Sequence, residues 1–320
     1  MAQQVRENII GVDVCKARLD IYEWATGQSY AIANAPDAIA QWLGRWAEPL
    51  RLALEPTNTY HLELATAAHA AGHQVYLLDP YRLTHCRQGV GERVKADAED
   101  AELLARYLAR EQGTLRAWGP LSQGQQRFWH LLRRRATLVR SRVQLQQSLT
   151  DLGPLQSELD TLLAQYTRLI RHLERALVAV ARQLGWTHQV KSCQSIPGVG
   201  PLTALAMVAT YHRGDFRNAD AFIAFMGLDV RIRDSGQFRG RRKLTKKGDP
   251  ELRRLLFNAA MQGRRSAHWE PYYLRLRQRG LSSTAAFVAL GRKLASLSFA
   301  LVRNGTDFSS ETHHRACHAT

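Results

Sequence analysis

Asp13 sits inside the apolar run IIGVDVCK, where a carboxylate is expensive to bury unless a cation or a hydrogen-bond donor compensates it. Glu55 closes a second apolar run, LALEP. Asp97 and Asp100 in KADAEDAELLARY are three apart, the spacing that places two side chains on one face of a helix. Four carboxylates gathered in one cleft repel one another, and the gathering becomes sensible when divalent cations lie among them, since hard oxygen donors are what Mg2+ prefers. Such ions can polarise a phosphodiester and stabilise both the attacking and the leaving oxygen. Each acid alone has a plainer reading: backbone amides can satisfy Asp13, Asp97 can cap a helix, and Asp100 can be a solvated charge. Joint placement is what points to chemistry. Glu99 and Glu102 are expected as surface charges.

A second candidate lies far along the chain. The stretch Arg231–Arg254, RIRDSGQFRGRRKLTKKGDPELRR, holds ten Lys and Arg against three acids, with glycines giving the backbone room. Arg239, Arg241, Arg242, Lys243, Lys246 and Lys247 are its candidate phosphate contacts. Ser235 precedes Gly236 within it. A hydroxyl in a glycine-flanked turn among arginines is placed to attack a phosphodiester, although Asp-Ser-Gly is also an ordinary turn sequence. In Ile196–Ala206, IPGVGPLTALA, Gly198 and Gly200 permit either a phosphate-binding turn at a helix N-terminus or a tight turn between packed helices.

These residues need elements to hold them. Short β-branched and aromatic runs predict strands over Asn8–Cys15, Leu19–Trp24 and Ser29–Ala33. A helix opened by Pro36-Asp37, a strand over Leu52–Glu55, a helix from Thr59 to Ala71, a strand over Gln74–Asp79 and a helix over Asp97–Glu111 follow. The order βββαβαβα is that of the ribonuclease H-like fold, in which the first strand, the fourth strand and the last helix approach one edge. The four acids sit on those three elements.

From Leu121 to Leu184 the pattern is helical, broken once at Gly153-Pro154. In the second arm Leu155, Leu159, Leu162, Tyr166, Leu169, Leu173, Ala176 and Val180 alternate steps of four and three, a coiled-coil seam. In the first arm Leu131, Leu138, Leu145 and Leu152 repeat every seven, with Arg135 and Arg142 at the intervening seam positions. Charge there disfavours a dry interface and makes both arginines candidate nucleic-acid contacts. An intramolecular hairpin and a dimerising coiled coil both satisfy this pattern. Further helices are expected near Pro250–Gly263 and Thr284–Arg303, and the tail ETHHRACHAT reads as disordered.

Charge says who the partners are. The formal net charge is +16 and the pI about 10.2. Residues 1–110 hold 11 Lys and Arg against 14 Asp and Glu, while residues 111–320 hold 33 against 14, so the basic surface belongs to the later segments. An excess of that size points to polyanions, nucleic acid first. Four scattered cysteines without a C-x-x-C pair indicate neither a zinc site nor a disulfide framework, and no uninterrupted apolar run long enough to span a bilayer occurs. A cytoplasmic protein is expected.

Several ordered motifs now resemble one family. GVDVCK around Asp13, LALEPTNTY around Glu55, VKADAEDAELLARY around Asp97 and Asp100, SIPGVGPLTA, and DSGQFRGRRKLTKKGDPELRRLL around Ser235 are similar to the DEDD transposases of bacterial insertion sequences, the insertion-sequence one-ten family, whose relatives include site-specific DNA invertases. The resemblance spans nearly the whole chain. It implies an α/β plus α architecture: a RuvC-like (RNase H-like) catalytic domain over 1–118, a helical coiled-coil linker that dimerises over 119–189, a mainly α C-terminal transposase domain with the serine over 190–308, and a tail over 309–320. It implies Mg2+ at the acids and a covalent phosphoserine. It further implies a structured noncoding guide RNA that pairs with donor and target DNA, and assembly from dimer to tetramer in which the acids of one subunit meet the serine of another. Ala96 stands where the family usually has Thr, and Asn58 where Gly is usual. The competing expectations are a metal-dependent junction-resolving nuclease, which uses water and needs no serine, and a non-catalytic nucleic-acid-binding protein.

Overall fold

The computed structural model describes residues 8–56, 59–78, 83, 97–150, 153–231, 234–235, 238–239 and 242–311, with the backbone alone at 97–98, 234–235 and 238–239. The chain divides at Pro120 into two compact units.

Unit 1 is a five-stranded mixed sheet covered on both faces. Strands β1 (Ile9–Val14), β2 (Arg18–Glu23) and β3 (Ser29–Ala33) form an antiparallel meander. After helix α1 (Pro36–Leu43), β4 (Arg51–Leu54) adds parallel to β1; after α2 (Leu62–Ala70), β5 (Gln74–Leu77) adds parallel to β4. The order is β3-β2-β1-β4-β5. Helix α3 (Asp97–Glu111) follows. The expected strands and helices of this region are present, with the fourth strand ending one residue before Glu55; the arrangement is consistent with a DEDD, RNase H-like domain.

Strand alternation divides the core. Ile10, Val12, Leu52 and Leu54 pack with Ile39 and Trp42 of α1 and Leu64 and Ala65 of α2. Ile9 and Ala53 pack with Leu104, Ala105 and Leu108 of α3 on the opposite face. Gly11 lies on that second face, and a Cβ built there would stand 1.9 Å from the Ala101 carbonyl oxygen and 2.7 Å from the Ala105 nitrogen. Helix backbone therefore rests directly on strand backbone, at a distance only glycine admits.

Unit 2 is mainly helical. Helix α4 (Gln123–Ser148) opens with a reciprocal capping box, in which the Ser122 hydroxyl accepts from the Gln125 amide and the Gln125 side chain accepts from the Ser122 amide. It packs antiparallel against α5 (Gln156–Gln183). Helices α6 (Thr187–Gln194), α7 (Pro201–Tyr211) and α8 (Ala219–Phe225) follow, then two short ribbons, in which β6 (Val230–Arg231) pairs with β9 (Lys243–Leu244) and β7 (Asp234–Ser235) with β8 (Phe238–Arg239). Helices α9 (Pro250–Gly263), α10 (Glu270–Gln278) and α11 (Ser283–Asn304) complete it. Among the described residues α11 is the one helix long and apolar enough by composition to cross a membrane, and its Leu290, Leu294, Ala295 and Phe299 are buried in this unit's core.

The hairpin of α4 and α5 shares that core through Phe128, Leu132, Leu177 and Val180. The expected seam splits. Leu159 and Val180 are buried, whereas Leu155, Leu162 and Leu169 are exposed, because the packed stripe widens to Ile170, Leu177 and Ala181. Where α7 ends, the His212 ring stacks on Trp186 at 4.9 Å and its Nε2 lies 2.6 Å from Gln189 Oε1. An amide oxygen accepts only, so that nitrogen carries the proton. Burial holds the imidazole pKa below its ordinary value of 6.5.

Two outcomes follow from this packing. Gly11→Ala forces α3 off the sheet and costs on the order of 1–3 kcal/mol or more of stability, read from the urea midpoint of unfolding. His212 takes up a proton at lower pH in the folded chain than in the unfolded one, so its contribution is complete above pH 6.5 and declines as pH falls below it. The stability advantage of wild type over His212→Gln should accordingly shrink between pH 7.5 and pH 5.5.

Candidate active site

The β1–β4 register carries the first half of the site. Val12 pairs with Leu54, so Asp13 and Glu55, the next residue on each chain, stand side by side at the C-terminal ends of neighbouring parallel strands. Alternation from Ile9 and Gly11, and from Arg51 and Ala53, directs both toward the face that α3 covers. Both are half-buried. The helix runs antiparallel to β1: Ile9 packs in the cluster of Leu104 and Leu108, and Gly11 meets Ala101 and Ala105. Its first turn, Asp97 to Asp100, therefore comes toward the end of β1 where Asp13 lies. Asp100 is half-buried, and the Asp97 side chain is outside the described residues.

Strand pairing adds an acid that sequence reasoning passed over. Asp20 is the antiparallel partner of Asp13, on the same face, 9% exposed, and accepts from Arg18 Nε at 3.0 Å. Like charges directly opposed in a sheet destabilise it, and Arg18 offsets part of that cost. The alternation of Leu19, Asp20 and Ile21 was the available signal, because it sets Asp20 on the face opposite its apolar neighbours. Glu102, expected at the surface, is half-buried; together with burial, the larger cause, it pushes the Tyr22 phenol up.

Asp20, Asp13 and Glu55 thus lie on adjacent strands β2 and β1 and at the end of β4, with α3 starting above them. Among the described residues no three His, Cys, Asp or Glu side chains close into a cation-holding group. Asp13 and Glu55 are half-buried and Asp20 is buried, and carboxylates adjacent in register are the donor chemistry a hard divalent cation takes.

The serine region belongs to unit 2. Ser235 pairs with Phe238 at the closing end of the β7–β8 ribbon; its side chain, that of Arg239, and Arg241 entirely, fall outside the described residues, as do Gly236, Gly240, Asn58, Ala96 and the tail from 312. The basic loop after it is fastened down. Thr245 donates its amide to the Asp229 carbonyl at 3.1 Å and its hydroxyl to the Asp229 carboxylate; Lys246, at φ 55°, donates to the Gly227 carbonyl at 3.1 Å. Arg253 Nη1 donates to the carbonyls of Met226 and Gly248 at 3.1 and 2.9 Å. Arg242, Lys243, Lys246 and Lys247 are exposed on this anchored segment.

The two glycines of the SIPGVG turn differ. Gly198 has φ +93°, and a Cβ there would lie 2.4 Å from Gly263 Cα, so it serves the packing of this turn on α9. Trp269 Nε1 donates to the Pro197 carbonyl at 2.9 Å in the same junction. Gly200 precedes α7 in extended conformation with open space around it, and no side chain caps that helix.

Of the seam arginines, Arg135 donates to Glu174 at 2.8 Å and to Glu251 at 3.4 Å, and its side chain is 13% exposed. Arg254 grips both oxygens of Glu251, at 2.6 and 2.7 Å. Arg142 donates to the Thr167 hydroxyl at 3.0 Å. Both, expected as nucleic-acid contacts, are engaged in joining α4 to α5, and Arg135 joins them to α9.

Comparison with known proteins fits this geometry. A DEDD transposase profile of the IS110 type matches residues 10–152, and the profile described as Transposase IS116/IS110/IS902 family matches residues 190–274. A pilin gene-inverting protein of Moraxella bovis is 28% identical over 328 residues, covering 95% of this chain and 98% of its own length; the corresponding protein of Moraxella lacunata is 27% identical over the same shares. A 43.6 kDa protein of insertion element IS110 from Streptomyces coelicolor is 30% identical over 154 residues, 46% of this chain and 37% of its own. With two profiles of one family in order along it, and full-length likeness to two gene-inverting proteins, this chain belongs to the IS110 family of transposases and DNA invertases.

Proposed function

We propose that the chain is a DNA recombinase that cuts and rejoins strands through Ser235, with Asp13, Glu55, Asp97 and Asp100 holding Mg2+. The observation that supports this most is the placement of Asp13 beside Glu55 at the strand ends, under the first turn of α3. Bound by those carboxylates, the ion would supply positive charge to the phosphodiester oxygens. The Ser235 oxygen attacks phosphorus, a phosphoserine ester forms, and the displaced deoxyribose oxygen leaves with a proton. Because one phosphate ester replaces another, the reverse attack reseals a strand without an external energy source. Arg242, Lys243, Lys246 and Lys247, on a segment pinned by Asp229 and Arg253, hold the DNA backbone near this serine. Gly200, at an uncapped helix start, offers backbone amides to a further phosphate.

The reading extends to partners. A structured noncoding RNA, paired with donor and target DNA, selects the sequences joined, and copies of the chain assemble from dimer to tetramer in the cytoplasm. The exposed stripe of Leu155, at the N-cap of α5, and Leu162 and Leu169 within it supplies an apolar face suited to a second copy.

The test uses purified protein, the element's noncoding RNA, Mg2+ and donor and target DNA. Ser235→Ala should lose the covalent protein–DNA adduct on denaturing gels and cut recombination by at least about a thousandfold. Asp13→Asn should abolish strand exchange while DNA binding persists. Strand cleavage by Ser235→Ala equal to that of wild type, with no adduct and no rejoining in either, would favour the water-using nuclease; salt-sensitive DNA binding unaffected by both substitutions, with no cleavage by wild type, would favour a non-catalytic binder.

A further inference from the structure

The hairpin of α4 and α5 carries ten arginines, no lysine and three acids. Helix α4 has six arginines and no Asp or Glu in 26 residues. Arg135 is ion-paired within the unit, so its charge is not what the hairpin presents to solvent, and Arg142 is turned to the Thr167 hydroxyl between the two helices.

The helical period places the others. Two residues differ by about 200° around a helix, so Arg134 lies opposite the buried Leu132, and Arg175 opposite the buried Leu177. Steps of seven extend these positions to Arg127 on α4 and to Arg168 and Arg182 on α5, and all five are exposed. The Arg135–Glu174 and Arg142–Thr167 contacts set the antiparallel register. That register brings Arg134 level with Arg175 and Arg127 level with Arg182. None of the five is ion-paired among the described residues.

A solvated helix face ordinarily mixes signs, because acid–base pairs three or four apart support the helix and like charges oppose it. This face forgoes such pairs and sets arginines level with one another on the two helices, an accumulation of like charge that a polyanion would relieve. The uniform choice of arginine also matters, since its planar fork meets two phosphate oxygens at once.

We propose that this outer face of the hairpin is a docking surface for the backbone of duplex DNA. It rests on the reading above only in taking DNA as the substrate. Single-strand binding would call for exposed stacking rings, whereas Phe128 and Trp129 are buried and Tyr166 is half-buried. The stripe from Arg168 to Arg182 runs about 21 Å along α5, matching roughly six base pairs of duplex.

Salt titration of duplex-DNA binding, followed by fluorescence anisotropy on the full chain, decides the matter. For Arg134→Gln/Arg175→Gln the slope of log K against log salt should become shallower by about two. Arg168→Gln/Arg182→Gln should reproduce the change, and an unaltered unfolding midpoint for either pair excludes a folding defect. Lys191→Gln/Arg217→Gln, equal in charge but on exposed positions elsewhere in the unit, should keep the wild-type slope. Wild-type slopes in both hairpin pairs, or an equal change in the control pair, overturn the proposal. So does a change seen only with duplex RNA. Binding needs no strand exchange, so the result stands apart from the fate of Ser235→Ala.

Discussion

The acidic end of unit 1 depends on a backbone-to-backbone contact. Where Gly11 lies under Ala101 and Ala105, α3 has no side chain between itself and the sheet, and this fixes both its height and its position along β1. A helix held one turn further along would bring Leu104 rather than Asp100 toward Asp13. The β1–β4 register then sets Glu55 beside Asp13, and the β1–β2 register sets Asp20 on its other side. Three pairings made of main-chain atoms thus decide which charged side chains become neighbours, at an electrostatic cost that unit 1 bears through its apolar layers.

Unit 2 solves a different problem, that of holding a very basic surface on a stable frame. Its core is apolar, and Glu251, a buried carboxylate, is answered by Arg135 and Arg254. Such a network is sensitive to loss of any member, because a buried charge left unanswered is costly. Since Arg135 comes from α4 and Glu174 from α5, the same atoms that satisfy Glu251 also fix the hairpin to α9, the helix that ends the basic loop. The rigid loop and the fixed hairpin present arginines and lysines outward with little freedom left to lose on binding.

Much of this was legible in the residues. Period-two runs and turn residues are local signals, and the strands of unit 1, the break at Gly153-Pro154 and the helices at Pro250–Gly263 and Ser283–Asn304 follow them closely. Asp13 stood out because a carboxylate in an apolar strand is costly wherever that strand ends up. Asp20 did not, because its significance is its partner across a strand pair, and pairing joins residues that local pattern treats separately. The seam arginines show the same limit: heptad position marked Arg135 as anomalous, but the two glutamates that receive it come from positions 39 and 116 residues away.

By itself the sequence determined the order of elements in unit 1, the division into an acid-bearing first part and a basic second part, and the motifs that mark the family, since each is carried by neighbouring residues or by composition. Only the tertiary structure decided which glycine serves packing and which borders open space, that the hairpin joins the C-terminal core, and which arginines turn outward. Those outcomes depend on register and close approach between distant segments, whose free energy is shared by both partners and therefore written in neither one alone.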